Sequence, residues 1–398
     1  NNSKGRHKLI RITTVPLSLE KLLEGQLSFM QTHYDVTAIS SDHKRLQRYG
    51  KNNGVSTYTL ALTRKITPYY DLKAVYSLYR FLSKQKPLIV HTHTPKAGII
   101  GMIAAYFAKV PLRLHTVAGL PLMEAKGIKR KILNTVEVLT YKCASNVYPN
   151  SKGLYDFIIS EKFAKPIKLK ILGKGSSNGI DTTYFDPALF TKDILDAKKA
   201  SFGIAQNNFV FVFVGRLVKD KGINEMVASF QAIQKKHPKT TLLLVGPFEN
   251  DLNPLQDKTT KAIESNSNII HTGYQEDVRP FLALSNVLVF PSYREGFPNV
   301  VLQAGAMGLP SIVSNINGCN EIIKDQHNGI LIPVKDQHAI YNAMLELLEN
   351  KTLYKSLATN ARIAITENYS RDDMWQFLLK EYDNNISNLR KHWGYAED

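Results

Sequence analysis

Phe209-Val210-Phe211-Val212-Phe213-Val214-Gly215-Arg216-Leu217-Val218-Lys219-Asp220-Lys221-Gly222 is an unbroken apolar run that ends on a glycine and two spaced cations. Six apolar residues without alternation read as a strand buried on both faces, as in a parallel sheet covered by helices. In such a sheet, ligands bind in the loops beyond the carboxyl ends of the strands. Gly215 would let a ligand approach the backbone. Arg216 offers a planar fork of donors and Lys221 a point charge, a pairing that suits a diphosphate. Two solvated cations on an ordinary β–α loop would look the same, so a second motif is needed.

Similar runs recur on both sides. The first half offers strands over Leu9–Val15, Val36–Ser40, Leu88–His91, Leu112–Thr116, Asn146–Pro149 and Leu169–Leu172. The second adds Thr241–Val245, Asn268–His271, Val287–Phe290, Ser311–Val313 and Gly329–Ile332 to Phe209–Gly215. Helical patterns separate them, which implies parallel sheets with crossover helices. Two such series imply an α/β protein of two doubly wound, Rossmann-like domains. The alternative is a single barrel, against which stands the Gly-, Ser- and Asn-rich break at 173–190, read as a linker. The expected domains are residues 1–185 and 186–370, followed by a helix over 371–398.

With 398 residues the chain exceeds what one core usually supports. Its formal charge is +17, and the excess lies at one end. Residues 1–185 hold 29 basic and 10 acidic side chains, net +19, whereas residues 186–398 hold 22 and 24, net −2. An anionic partner is therefore expected on the first half. At 43% hydrophobic the composition excludes a disordered chain. Cys143 and Cys319 are too few for a disulfide framework, which fits a reducing compartment. No signal peptide is expected, and the longest apolar helical stretch, Ala97 to Ala108, falls well short of the roughly 20 residues that span a bilayer.

The second motif is Phe290-Pro291-Ser292-Tyr293-Arg294-Glu295-Gly296-Phe297-Pro298-Asn299-Val300-Val301-Leu302-Gln303. A strand runs into a glycine-containing turn, and a helix starts near Pro298. Backbone N–H groups around Phe297 to Val300, with Asn299 at the helix start, would be free to donate to phosphate oxygens. Glu295 stands at that mouth and could bind sugar hydroxyls, although a first-turn carboxylate is also favoured by the helix dipole alone.

Together these segments resemble the retaining nucleotide-sugar glycosyltransferases of family 4, which have the GT-B fold of two Rossmann-like domains facing across a cleft. The likeness covers nearly the whole chain. Thr14-Val15-Pro16 with Gly25-Gln26-Leu27 resembles the family's first strand and acceptor-side loop. His91-Thr92-His93-Thr94-Pro95-Lys96-Ala97-Gly98 resembles bacterial enzymes that build capsule or O-antigen polysaccharides on polyprenyl diphosphate. His115-Thr116-Val117-Ala118-Gly119 resembles the loop that brings a histidine to the cleft. Asn178-Gly179-Ile180-Asp181 matches the segment before the linker, and Gly273-Tyr274 with Asp277-Val278-Arg279 matches the nucleobase side. One departure stands out: the family's second signature glutamate is Gln303 here, which can bond ribose hydroxyls but without ionic strength.

The resemblance implies transfer of a sugar, expected to be a UDP-linked N-acetylhexosamine, to a polyprenyl-diphosphate-linked saccharide. Glu295, His115, Arg216 and Lys221 would carry the reaction. Gly215, Tyr274, Gly296, Phe297, Asn299, Val300 and Gln303 would complete the donor site, with Gly25, His93 and His115 on the acceptor side. No Asp-x-Asp pair suited to a divalent ion ends a strand, so neither metal nor cofactor is expected. The pair His91 and His93 lacks a third ligand. The final helix is expected to cross back to the first domain. The basic start of a helix over Gly127–Leu139, with Lys126, Lys129, Arg130 and Lys131 ahead of Ile132 and Leu133, suits an anionic membrane, or else faces the core with a solvated basic turn. These features imply a cytoplasmic protein, peripheral on the inner face of the membrane. Other readings are a nucleotide-sugar epimerase, a non-catalytic scaffold and a nucleic-acid-binding protein, for which no motif is present.

Overall fold

The computed structural model describes residues 6–63, 67–120, 122, 125–249 and 253–393. The chain divides into two compact units, residues 1–178 with 372–398, and residues 179–371. The first boundary falls at Asn178 rather than at 185. Gly179–Asp181 pairs instead with the end of the second unit, where Ile180 N donates to Tyr369 O at 2.8 Å and Arg371 N to Ile180 O at 2.9 Å.

In the first unit β1 (Lys8–Ile12), β2 (Asp35–Ser40), β3 (Ser56–Thr59), β4 (Ile89–His93), β5 (Leu112–Val117) and β6 (Asn146–Pro149) form one sheet. Its order is β3-β2-β1-β4-β5-β6, and every pairing is parallel. The helices are α1 (Pro16–Leu22), α2 (Gln26–Gln31), α3 (His43–Asn53), α4 (Pro68–Gln85), α5 (Pro95–Phe107), α6 (Gly127–Cys143) and α7 (Lys152–Ser160).

The expected strand Leu169–Leu172 is not formed. Only Leu169 bridges to Val147, and the following residues are exposed or half-buried, so nothing rewards continued pairing. Its place as sixth strand is taken by β3, a polar, half-exposed edge whose sequence Ser-Thr-Tyr-Thr lacks an apolar run.

In the second unit β7 (Phe209–Val214), β8 (Thr240–Val245), β9 (Ile269–His271), β10 (Val287–Phe290), β11 (Ser311–Ser314) and β12 (Gly329–Ile332) lie in the order β12-β11-β10-β7-β8-β9. Counted within the unit, this is the same winding as the first sheet. Its helices are α8 (Lys192–Ser201), α9 (Ile223–Lys236), α10 (Asp257–Ser265), α11 (Arg279–Ala283), α12 (Asn299–Ala306), α13 (Cys319–Ile322), α14 (Gln337–Glu349) and α15 (Lys351–Asn368). Val210 to Phe213 are 0% exposed, which explains their unbroken apolarity.

The last helix, α16 (Arg371–Trp393), belongs to the first unit beyond its first residue. Leu378, Tyr382 and Ile386, at four-residue spacing, cover the sheet face that carries Leu9, Ile89, Leu114 and Tyr148. The opposite face of that sheet is covered by α4, α5 and α6.

Candidate active site

Strand order reverses between β7 and β10, and at such a switch point the two following loops part and leave a crevice at the strands' carboxyl ends. Both sequence motifs fall there. Their loops are fastened together: Tyr293 N donates to Asp220 O at 2.8 Å, and Arg294 Nη2 reaches Asp220 Oδ2 at 3.0 Å. Gly222 (φ 70°) lies so close that a Cβ would stand 2.2 Å from Pro291 O, so no larger residue fits between the loops.

Across this junction Lys221 Nζ bonds Glu295 Oε1, with side chains only 17% and 15% exposed. The ammonium also lies 5.2 Å from the Phe290 ring centroid. Asn317 Nδ2 donates to Glu295 O at 3.2 Å and Gly296 O at 2.8 Å, holding the Glu295 turn from below. Phe297 is buried, and α12 begins at Asn299 after Pro298 with no side-chain cap. The first N–H groups of a helix have no carbonyl partner within it, so Asn299 and Val300 form an electropositive end beside Glu295. Gln303 follows on the same helix, half-buried.

Arg216, after Gly215, is half-exposed and ion-paired with Glu249 on the loop after β8. Gly246 (φ 144°) in that loop passes so near that a Cβ would stand 1.8 Å from Gly215 O. Its N–H donates to Gly273 O at 2.9 Å, which places the exposed Tyr274 on the next loop along the same sheet edge. Asp277 and Arg279 bond each other at 2.6 Å, which holds the Asp277 carboxyl below its usual range, and Arg279 stacks on Tyr184 at 3.5 Å. These loops thus gather a guanidinium, an ammonium, a helix start and a carboxylate, a set able to bind a diphosphate beside a polyhydroxylated group.

The histidines expected on the acceptor side, His93 and His115, lie in the first unit and are buried. His115 is 2% exposed, its Nδ1 at 2.7 Å from Thr92 Oγ1, and a Cβ on Gly98 would stand 2.5 Å from its Cε1. Burial lowers its pKa to about 4, so it is neutral near pH 7. The expected contact of His115 with sugar or acceptor is not made available in this structure: the ring points from β5 into the α5 layer, because residues alternate faces along a strand.

His93 is also buried, on the opposite sheet face, where its Nδ1 lies 3.3 Å from Arg11 Nη2 while Nε2 has no hydrogen-bond partner. It lines a small cavity with Thr116, Tyr148, Asn150 and Ser177 at the carboxyl ends of β4 to β6. Gly25 (φ 74°) starts α2, whose Gln26 accepts from Arg11 Nη2 at 2.8 Å.

Sequence reasoning missed Arg11. It is 0% exposed, and its Nη1 bonds His91 Nδ1 at 2.7 Å and Tyr382 OH at 2.5 Å, tying β1, β4 and α16 together. Its only signal was one cation inside the apolar run Lys8–Ile12. Among the described residues no group of three or more His, Cys, Asp or Glu is placed to hold a metal ion.

Residues 28–175 match the model for a glycosyl transferase 4-like domain, and residues 196–364 that for glycosyl transferases group 1. The chain is 33% identical over 380 residues to a capsular polysaccharide biosynthesis glycosyltransferase, CapM, of Staphylococcus aureus, covering 94% of this chain and 97% of the relative. The chain belongs to glycosyltransferase family 4. This glycosyltransferase is also 30% identical over 378 residues to the UDP-Gal:alpha-D-GlcNAc-diphosphoundecaprenol alpha-1,3-galactosyltransferase of Escherichia coli, covering 92% and 95%. Among solved structures it superposes on Anabaena HepE in complex with UDP and glucose with TM-score 0.79, at 18% identity over 95% of this chain and all of that one. The two parallel-sheet units are therefore the GT-B fold, and the glycosyltransferase acts in polysaccharide synthesis.

Proposed function

We propose that this glycosyltransferase moves a sugar from a UDP-sugar, with retention at the anomeric carbon and without a metal ion, to a saccharide carried on polyprenyl diphosphate. The observation that carries this reading is the Lys221–Glu295 pair at the β7–β10 switch point, beside the uncapped start of α12. The diphosphate would lie against Arg216, Lys221 and the N–H groups of Asn299 and Val300, which stabilise charge developing on the leaving phosphate. Glu295 would accept from hydroxyls of the transferred sugar, and Gln303 would bond the ribose. A same-face departure, in which the leaving phosphate takes the acceptor's proton, needs no protein nucleophile, in contrast to the paired carboxylates of retaining hydrolases. The E. coli relative, named for a diphosphoundecaprenol acceptor, supports the acceptor class.

The test pairs nucleotide sugars with a polyprenyl-diphosphate saccharide. A UDP-hexose or UDP-N-acetylhexosamine should raise the melting temperature, since a ligand bound only by the native state stabilises it. The α-donor should yield an α-linked product, undiminished in EDTA. Inverted product, or stabilisation by no nucleotide sugar, overturns the reading.

A further inference from the structure

The outer face of α4 carries an apolar stripe that no part of the described chain covers. Tyr69, Leu72, Tyr76 and Tyr79 recur at helical spacing and are 76%, 71%, 61% and 36% exposed, while Ala74, Leu78 and Leu82 fill the buried face. Two helices away, α6 exposes Ile128 (79%) and Ile132 (49%) on its first turns. Helix α5 packs between the two. All three follow strands of one parallel sheet, so their first turns share the edge formed by the strands' carboxyl ends.

Charge is distributed to match. Helices α4, α5 and α6 hold eight basic and two acidic side chains. Neither acid offers a free negative charge on this surface. Asp71 is ion-paired with Lys96 at 2.5 Å, and Glu137 is buried, where desolvation raises its pKa to about 7. Lys73, Arg80, Lys84, Lys126, Lys129 and Lys131 remain exposed. All but Lys84 lie within a turn of an exposed apolar side chain.

From this interleaving we infer that the α4 tyrosine stripe and the first turns of α6 are one docking surface for an anionic lipid bilayer. Tyrosine places its ring among acyl chains and its hydroxyl at the headgroups, and nearby Lys and Arg are each worth about 1 kcal/mol against anionic lipid. A protein partner suits the surface less well, because lysine is depleted from protein interfaces. A second copy would set like charges against each other, since a two-fold interface brings the same patch together. The inference rests on the lipid-linked acceptor proposed above and adds the surface that would bring the first unit's sheet edge to the membrane.

Co-sedimentation with vesicles of phosphatidylcholine alone, and of phosphatidylcholine with phosphatidylglycerol, tests it. The full chain should bind the second far better than the first. The triple variant Tyr69→Ser, Leu72→Ser, Tyr76→Ser and the double variant Lys129→Glu, Lys131→Glu should each weaken binding at least about tenfold. Both should keep the wild-type melting temperature and UDP-sugar stabilisation, since every altered side chain is exposed. Wild-type-like binding by either variant, or indifference of the wild type to phosphatidylglycerol, overturns the docking surface. So does a dimer that both variants dissociate. Failure of every nucleotide sugar to stabilise the wild type while vesicle binding persists would overturn the sugar-transfer reading and leave the docking surface standing.

Discussion

Lys221 and Glu295 lie 74 positions apart in sequence and form an ion pair across the two loops at the switch point of the second sheet. A mostly buried pair of this kind costs desolvation on both sides and is costly to break from one side only. It therefore holds the site's cation and carboxylate in a fixed relation before any donor arrives.

Lys221→Ala should lower transfer about 10²–10³-fold, as loss of one group that stabilises developing charge does. It should also destabilise the protein, because Glu295 is left without its partner. Glu295→Gln should lower kcat with less effect on melting, since the amide still accepts from Lys221. Steady-state kinetics beside thermal melting separates the two; equal loss of kcat and stability in both variants would contradict these roles.

Arg216 is half-exposed and held by Glu249, so a diphosphate bound there as proposed would have to displace that partner. Arg216→Ala should slow transfer by about two orders of magnitude with an unchanged melting temperature. Glu249→Gln should leave kcat near wild type and lower the donor KM, because an exposed ion pair contributes little and its loss frees the guanidinium. Transfer by Arg216→Ala within threefold of wild type would remove Arg216 from the mechanism.

Gln303 follows the helix start on α12 and is neutral where the family signature has a second glutamate. Charge-assisted hydrogen bonds exceed neutral ones by about 1 kcal/mol. Gln303→Glu should therefore tighten UDP binding about fivefold in Kd, read by calorimetry. An unchanged Kd would place the ribose elsewhere.

Gly246→Ala should strain the second unit severely, since a Cβ would stand 1.8 Å from Gly215 O at a φ of 144°. The expected cost is about 2–3 kcal/mol or more, a drop of about 4–10 °C in melting of that unit. Gly54→Ala provides the contrast: its φ is 66° but nothing lies within 4 Å, so only backbone strain of about 1 kcal/mol remains.

Burial holds His115 neutral down to about pH 4, against an ordinary 6.5, and His91 and His93 are shifted the same way by burial and then by Arg11. The unfolded chain takes up these protons between pH 6.5 and 4 and the folded one does not, so stability is lost as pH falls through that window. His115 alone accounts for about 3 kcal/mol. Glu137 acts in the opposite sense: its carboxyl is raised to about 7, so its contribution is lost as pH rises from 4.5 to 7. Glu137→Gln should therefore raise melting at pH 8 and have no such effect at pH 4.5. A stabilising effect independent of pH would mean that Glu137 titrates normally.

The sequence by itself determined the two parallel sheets, because a strand buried on both faces must be apolar throughout, as Val210 to Phe213 are. It also determined where the two loop motifs lie, since Arg216, Lys221 and Glu295 sit in short loops directly after such strands. Only the tertiary structure decided what local pattern leaves open. The polar Ser56–Thr59 became the edge strand because pairing on one side suffices there, while the apolar Leu169–Leu172 found no continuous partner. His93 and His115 read alike as cleft residues, yet strand alternation under α16 and α5 buried both, on opposite faces. The tyrosines of α4 stand outside, because a helix of that length buries one stripe and Ala74, Leu78 and Leu82 fill it. Which of two apolar stripes meets the sheet depends on packing volume and partners distant in sequence, and those exist only once the chain is folded.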